Sequence, residues 1–164
     1  MLEEIESSAH SSGVISMDNA TRYLRPTGID PIMGKVLNWL PKLGISIAGS
    51  RLLAVRGRKS GQWRTTMVNV LTAADGTRYL VAPRGHTQWV RNLRAAGEGE
   101  LRLGRRTEHF TATELADADR VPLLRLYLEK WGWEVGRFFD GITKDATDAE
   151  LAAVAPGFPV FRLA

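Results

Sequence analysis

From Leu52 onward, short apolar stretches alternate with polar residues and end in turn-forming glycine, aspartate or proline, a pattern that predicts strands rather than long helices. Leu52, Leu53, Ala54 and Val55 make the first strand, and Met67, Val68, Asn69, Val70 and Leu71 the second. Between them Gly57 and Gly61 bracket Arg58, Lys59 and Ser60, which reads as a hairpin tip whose glycines permit a tight path and positive φ angles. Asp75-Gly76 marks the next hairpin, leading to an alternating strand from Arg78 to Ala82. Arg84-Gly85-His86 breaks that pattern. Thr87 then opens a helix through Ala96, with Val90, Leu93 and Trp89 on its inward face. Strands follow around Leu101 and Leu103 and from His109 to Thr113. Asp117 begins a longer helix with Val121, Leu124 and Leu128 at helical spacing, Thr147 and Glu150 form a capping box before a short one, and Pro159 to Leu163 closes the chain as a strand. Hairpin-linked strands with one crossing helix predict a small antiparallel barrel whose open side is sealed by helices.

The N-terminal third differs. Residues 1–25 read as a flexible tail, because Met1 to Met17 is glutamate- and serine-rich and lacks the basic start and apolar core of a signal peptide. Residues 26–50 hold an amphipathic helix from Ile32 to Leu40, with Asp30 as N-cap, Pro31 at its first position and Pro41 at its end. Residues 51–164 form the barrel domain. No apolar run reaches the roughly 18 residues that a membrane span needs. A cytoplasmic protein is expected, with the helix at 32–40 either packed on the barrel or resting on the inner face of the cell membrane.

Charge sharpens the reading. The chain carries a net +4, but from Arg51 to Arg106 twelve Lys or Arg stand against three Asp or Glu, an excess of nine. A basic middle inside a near-neutral chain calls for an anionic partner. Nucleic acid is set aside, since no helix-turn-helix, zinc finger or aromatic RNA-binding signature is present. A phosphorylated small molecule fits the loop at Arg58, Lys59 and Ser60, where guanidinium, ammonium, hydroxyl and backbone amides converge; a solvated basic hairpin is the plain alternative.

The chain has no cysteine, and His10, His86 and His109 are scattered without acidic residues at metal-ligand spacing, so no metal site is expected. No Ser-His-Asp set, carboxylate pair or phosphate-binding P-loop is evident. Chemistry therefore has to come from a bound cofactor, the protein supplying position and electrostatics. Trp131 and Trp133 are candidates for an aromatic substrate pocket, with core packing or a dimer interface as the alternative. No side chain stands out as a general acid, so the catalytic residue is left open: Tyr127 is one candidate proton donor and solvent the other, and the plain reading of Tyr127 is a half-buried helix residue with its hydroxyl in water.

Gly57-Arg58-Lys59-Ser60-Gly61-Gln62-x-Arg64, then Tyr79 to Gly85, then Gln88-Trp89-Val90-Arg91-Asn92-Leu93, and finally Phe158 to Leu163 keep the order and spacing of motifs in one family. The chain resembles the deazaflavin-dependent nitroreductases and quinone reductases of actinobacteria. That resemblance implies a mainly β (α+β) split β-barrel with flanking helices, similar to flavin reductases, that often pairs as a homodimer. It implies coenzyme F-420 as cofactor, an 8-hydroxy-5-deazaflavin with a polyanionic phospholactyl-oligoglutamate tail, and hydride transfer to a quinone, nitroaromatic or activated enone. By similarity, Arg58, Lys59 and Ser60 meet the phosphate and tail. Arg64 and the strand Thr65, Thr66, Met67, Val68 and Asn69 line the deazaflavin and ribityl chain. Val81, Ala82, Pro83 and Arg84 add backbone donors and a cation, and Gln88, Trp89, Val90, Arg91 and Asn92 offer helix amides to the phosphate. Two departures from the pattern stand out: Thr66-Met67-Val68 after the motif arginine, and Pro83-Arg84 where a Ser-Lys pair is common. Flavin mononucleotide in the same barrel, or a carrier that binds the deazaflavin without turnover, are the readings that compete with the reductase.

Overall fold

The computed structural model describes residues 49–164. The expected tail and the helix at 32–40 lie outside the described residues. Six strands and three α-helices follow in order: β1 (Ser50–Arg56), β2 (Trp63–Thr72), β3 (Arg78–Val81), α1 (Gln88–Ala96), β4 (Glu98–Leu103), β5 (Arg106–Glu114), α2 (Asp117–Val135), α3 (Asp148–Val154) and β6 (Val160–Leu163). Single turns of 3-10 helix at Gly136–Phe138 and Ala155–Gly157 flank α3 on either side.

The strands form a closed antiparallel barrel in the order β1-β2-β3-β6-β5-β4. Closure comes from β1 against β4, where Leu52 lies opposite Arg102 and Ala54 opposite Glu100. This ladder leaves no unpaired sheet edge among the described strands, and the helices flank a closed barrel as expected.

Strand alternation sorts side chains into two cores. Leu53, Val55, Val68, Leu80, Ala82, Leu101, Phe110, Phe161 and Leu163 fill the barrel, and Val90 and Leu93 of α1 belong to the same cluster. Leu71, Val81 and Val160 face the other way and pack with Leu124, Tyr127, Leu128 and Trp131 of α2, together with Phe139, Leu151 and Phe158. The phenyl rings of Phe139 and Phe158 stack there with centroids 4.1 Å apart. One helix thus completes the interior core, while the other two cover the outer surface. Among the described residues no helix is long and apolar enough to cross a membrane.

Candidate cofactor site

The β1–β2 connection is a closed loop. The Gly57 N–H donates to the Gln62 carbonyl at 2.8 Å, and the Gly61 N–H donates to the Gly57 carbonyl at 2.8 Å. Gly61 has φ +67°, the left-handed conformation that glycine adopts without penalty. The Ser60 hydroxyl accepts from the Gln62 N–H at 3.3 Å, so its oxygen is turned into the loop. At the base of the loop the Arg56 guanidinium lies 4.0 Å from the centre of the Trp63 indole.

This loop is docked on α1. Both the backbone N–H of Arg58, at 3.2 Å, and its Nη1, at 2.8 Å, donate to Oδ1 of Asn92. The same Nη1 donates to Oε1 of Gln88 at 2.9 Å. Gln88 and Asn92 are four apart and so share a helix face; Arg91, three from Gln88, is exposed beside them. Helix α1 begins after Thr87, whose backbone is extended but whose hydroxyl makes no capping bond, unlike the role expected for it. The first-turn amides of Gln88, Trp89 and Val90 have no intrahelical acceptors, and the helix dipole adds partial positive charge at that end.

Five arginines are paired with carboxylates. Arg78 pairs with Glu108, Arg94 with Glu114, Arg102 with Glu100, Arg120 with Asp117 and Glu114, and Arg125 with Asp148. Arg58, Lys59, Arg64 and Arg91 have no carboxylate partner among the described residues, and all four are exposed. A Cβ placed on Gly57 would lie 3.6 Å from Cγ of Arg64, which sets that arginine beside the loop as well. The cations of this one end keep their full charge, as an anion site requires.

The remaining sequence-predicted residues divide. Thr65 is exposed, Thr66, Met67 and Asn69 are half-buried, and Val68 points into the barrel. Alternation therefore splits the strand Thr65 to Asn69 between two faces. Val81 and Ala82 are buried in opposite cores, and the Ala82 N–H is already engaged by the Pro159 carbonyl at 2.9 Å. Pro83 has no amide hydrogen. Arg84 lies half-buried with its guanidinium 5.9 Å from the centre of the Phe138 ring. Trp89 is half-buried and tilts against Phe161, with centroids 6.0 Å apart. Val90 is a barrel-core residue.

Trp131 and Trp133 are not brought together. Trp131 is 0% exposed, 5.0 Å from the Tyr127 ring, whereas Trp133 is 79% exposed. Two positions apart on a helix is about 200° around its axis, so one faces the core and the other solvent. Tyr127 is 2% exposed rather than half-buried with its hydroxyl in water. Burial above all, then the nearby Glu134 carboxylate, raises its pKa far above the usual tyrosine range, while a hydrogen bond with Asn69 works the other way.

A network on the other side of α1 has no counterpart among the sequence motifs. The His86 ring lies 2.9 Å from Nη1 of Arg94, which also grips Glu114, and Glu114 in turn meets the buried Arg120. Its members are spread from position 86 to 120, and no local spacing announces their meeting.

A closed six-stranded barrel with a cluster of cations not paired to internal acids at one end defines a small barrel protein suited to an anionic ligand. The model of the family described as F420H(2)-dependent quinone reductase matches residues 38–134, and the chain belongs to that family. Among solved structures it is similar to an F420-H2 dependent reductase (FDR-A) at 21% identity, with a TM-score of 0.50 over 71% of this chain and 94% of that one. A domain-swapped dimer matches at 20% identity and a TM-score of 0.52, over 79% of this chain and 92% of that one. The protein Atu2129 from Agrobacterium tumefaciens, of unknown function, matches at 19% and 0.52, over 85% of this chain and 56% of that one. Among curated proteins none matches the chain. These structures share the fold, and the family establishes the chemistry: the chain is an oxidoreductase whose cofactor is coenzyme F-420. The donor set fits that group, because a phosphate and several carboxylates call for cations not already spent on internal acids.

Proposed function

We propose that this enzyme holds reduced coenzyme F-420 by its anionic arm on the Arg58 loop and passes its hydride to a quinone, nitroaromatic or activated enone. When bound, the reduced deazaflavin supplies a hydride, and the acceptor is completed by a proton from solvent. Arg58, Lys59, Arg64 and Arg91 neutralise phosphate and carboxylates, and the first-turn amides of α1 add donors. Arg84, on the loop between β3 and α1, contributes a further cation. Thr65, Met67 and Asn69, which share one face of β2, border the ring and ribityl chain together with Thr66 on the other face. Uncharged amides and hydroxyls there suit a ring whose charge changes during the reaction. Trp133 is the aromatic left free for the acceptor, since Trp131 is committed to the core.

The observation that carries this reading is the grouping of four cations without carboxylate partners at one end of the barrel, where Arg58 docks on Gln88 and Asn92 and Arg64 lies beside the loop. Replacing Arg58 and Lys59 together by alanine tests it. Hydrogen bonds to charged groups contribute about 1.5–3 kcal/mol each, so cofactor affinity is expected to fall by roughly tenfold or more per cation. Turnover at saturating cofactor is expected to stay within a few-fold. Quenching of tryptophan fluorescence by titrated coenzyme measures the first and steady-state kinetics the second; an unchanged affinity overturns the assignment.

The domain-swapped dimer among the similar structures supports a homodimer as the working unit, which light scattering of the purified chain tests. Peripheral contact of the amphipathic segment 32–40 with the inner membrane face is the companion proposal. Co-sedimentation of the full chain with anionic liposomes checks it, and failure to sediment removes it.

A further inference from the structure

Arg58 is held by a side-chain amide oxygen, whereas Arg78, Arg94 and Arg102 of the barrel and α1 are held by carboxylates, and Arg51 and Arg56 by nearby main-chain carbonyls. Its main-chain N–H and its Nη1 converge on a single acceptor, Oδ1 of Asn92, 34 residues away. Asn92 is 5% exposed, so that acceptor sits in a fixed, largely dry position. Gln88, exposed, touches the same Nη1. No bond to Nε or Nη2 of Arg58 is found among the described residues, which leaves that edge of the guanidinium available to a bidentate anion.

We infer that Asn92 is a positioning residue, holding Arg58 aimed and fully charged for the anionic arm of the cofactor. The inference rests on the assignment of the loop as the anion site. Its basis is the chemistry of the acceptor. Arg78, Arg94, Arg102, Arg120 and Arg125 are each fixed by a carboxylate, which orders the side chain and cancels its charge. An amide oxygen offers the same lone pairs without the charge. Arg58 is thereby ordered at little rotamer cost to the incoming ligand, yet remains a cation. The two bonds to one buried oxygen also lock the loop backbone to the helix, so Lys59 and the α1 amides keep a set distance from Arg58. Asn92 acts through Arg58 rather than by touching the phosphate.

An isosteric exchange separates charge from geometry. Asn92→Asp retains the oxygen that accepts both bonds but places a carboxylate against Arg58. The full chain carrying Asn92→Asp, Arg58→Ala, or both is titrated with coenzyme F-420 at low and high salt, with thermal unfolding followed in parallel. N92D is expected to unfold within a few degrees of the parent, bind the coenzyme about tenfold or more weakly, and show a shallower salt dependence. Its KM for coenzyme should rise while kcat holds. In the Arg58→Ala background the Asp is expected to add almost nothing, since non-additivity marks residues that act as one unit.

Wild-type affinity in a folded N92D overturns the inference, as do additive losses in the double variant. Both outcomes leave the loop as the anion site. Undiminished binding by Arg58→Ala removes the anion site itself, and the role of Asn92 with it. If N92D loses its cooperative transition, Gln88→Glu carries the same test at the exposed acceptor, 2.9 Å from the same Nη1. A tenfold loss there supports retention of charge by neutral acceptors, and unchanged binding refutes it.

Discussion

His86 and Arg94 meet at 2.9 Å, ring Nδ1 against guanidinium Nη1, with Nε2 of the same ring 3.2 Å from the Pro156 carbonyl. A guanidinium can only donate, so Nδ1 accepts and the ring proton sits on Nε2, where it donates to Pro156. The imidazole is thus held neutral. Burial chiefly, then the positive charge of Arg94 with a smaller push from Arg120, lowers its pKa below the usual histidine value; the Pro156 carbonyl and Glu114 oppose this. A histidine whose folded pKa is depressed takes up its proton more readily in the unfolded chain. Its contribution to stability is therefore intact above the ordinary histidine pKa of about 6.5 and is lost as pH falls below it.

The melting temperature is accordingly expected to drop between about pH 7.5 and 5.5. Replacing His86 by glutamine should flatten that slope. The depressed carboxylates Asp75, Glu108 and Glu150 lose their contributions at more acidic pH, below the ordinary carboxylate range, so the two windows separate. Thermal scans across the range decide it, and a slope unchanged in the glutamine variant excludes His86 as its source.

Tyr127→Phe is expected to leave turnover within about threefold, well short of the 10²–10⁴ that a general acid contributes. The phenol is buried beside Asn69 and its pKa is raised, so it surrenders a proton less readily than solvent-exposed tyrosine. Loss of its hydrogen bond should cost about 1 kcal/mol in stability. A hundredfold fall in kcat with quinone would instead make Tyr127 the donor.

Trp131 and Trp133, two residues apart, should behave as opposites. Removing the fully buried indole of Trp131 opens a large cavity between α2 and the barrel, so Trp131→Ala is expected to cost about 3–5 kcal/mol. Trp133→Ala, at an exposed position, should change stability by less than about 0.5 kcal/mol. Urea denaturation resolves both. Equal losses would mean that Trp133 packs against something beyond the described residues.

Local signals in the chain were legible because local bonds create them. The Asp75-Gly76 turn forms as read, with the Thr77 N–H donating to the Asp75 carboxylate at 2.9 Å. Thr147 and Glu150 make both bonds of the capping box. The cationic loop and the helix at Gln88 were each visible as separate motifs, and in the structure they touch. What could not be read was how distant segments meet. Closure of β1 on β4 depends on partners nearly fifty residues apart, and the docking of Arg58 on Asn92 spans 34. Trp131 and Trp133 were not told apart in the sequence because α2 carries apolar residues on several faces, and only its angle against the barrel selects the buried one. A basic middle segment likewise hid the division between arginines spent on carboxylates and those left charged.

Barrel closure leaves its own mark at Gly99, the second residue of β4. A Cβ there would lie 2.9 Å from the Ala54 carbonyl oxygen and 2.9 Å from Cζ of Phe110, closer than real Cβ atoms come. The Ala54 oxygen is main chain in the very ladder that joins β1 to β4, so it cannot rotate aside, and the Phe110 ring is packed in the barrel core. Gly99→Ala should therefore cost about 1–3 kcal/mol through overpacking. Gly132 offers the matched contrast. It lies within α2 without a positive φ, and a Cβ there meets nothing within 4 Å. Gly132→Ala should stabilise the protein by about 0.5–1 kcal/mol, because alanine restricts the unfolded chain and favours helix. Opposite signs in the two unfolding midpoints are the expected result. A neutral Gly99→Ala would mean that β4 can move away from β1 without breaking the barrel, against the tight approach seen here.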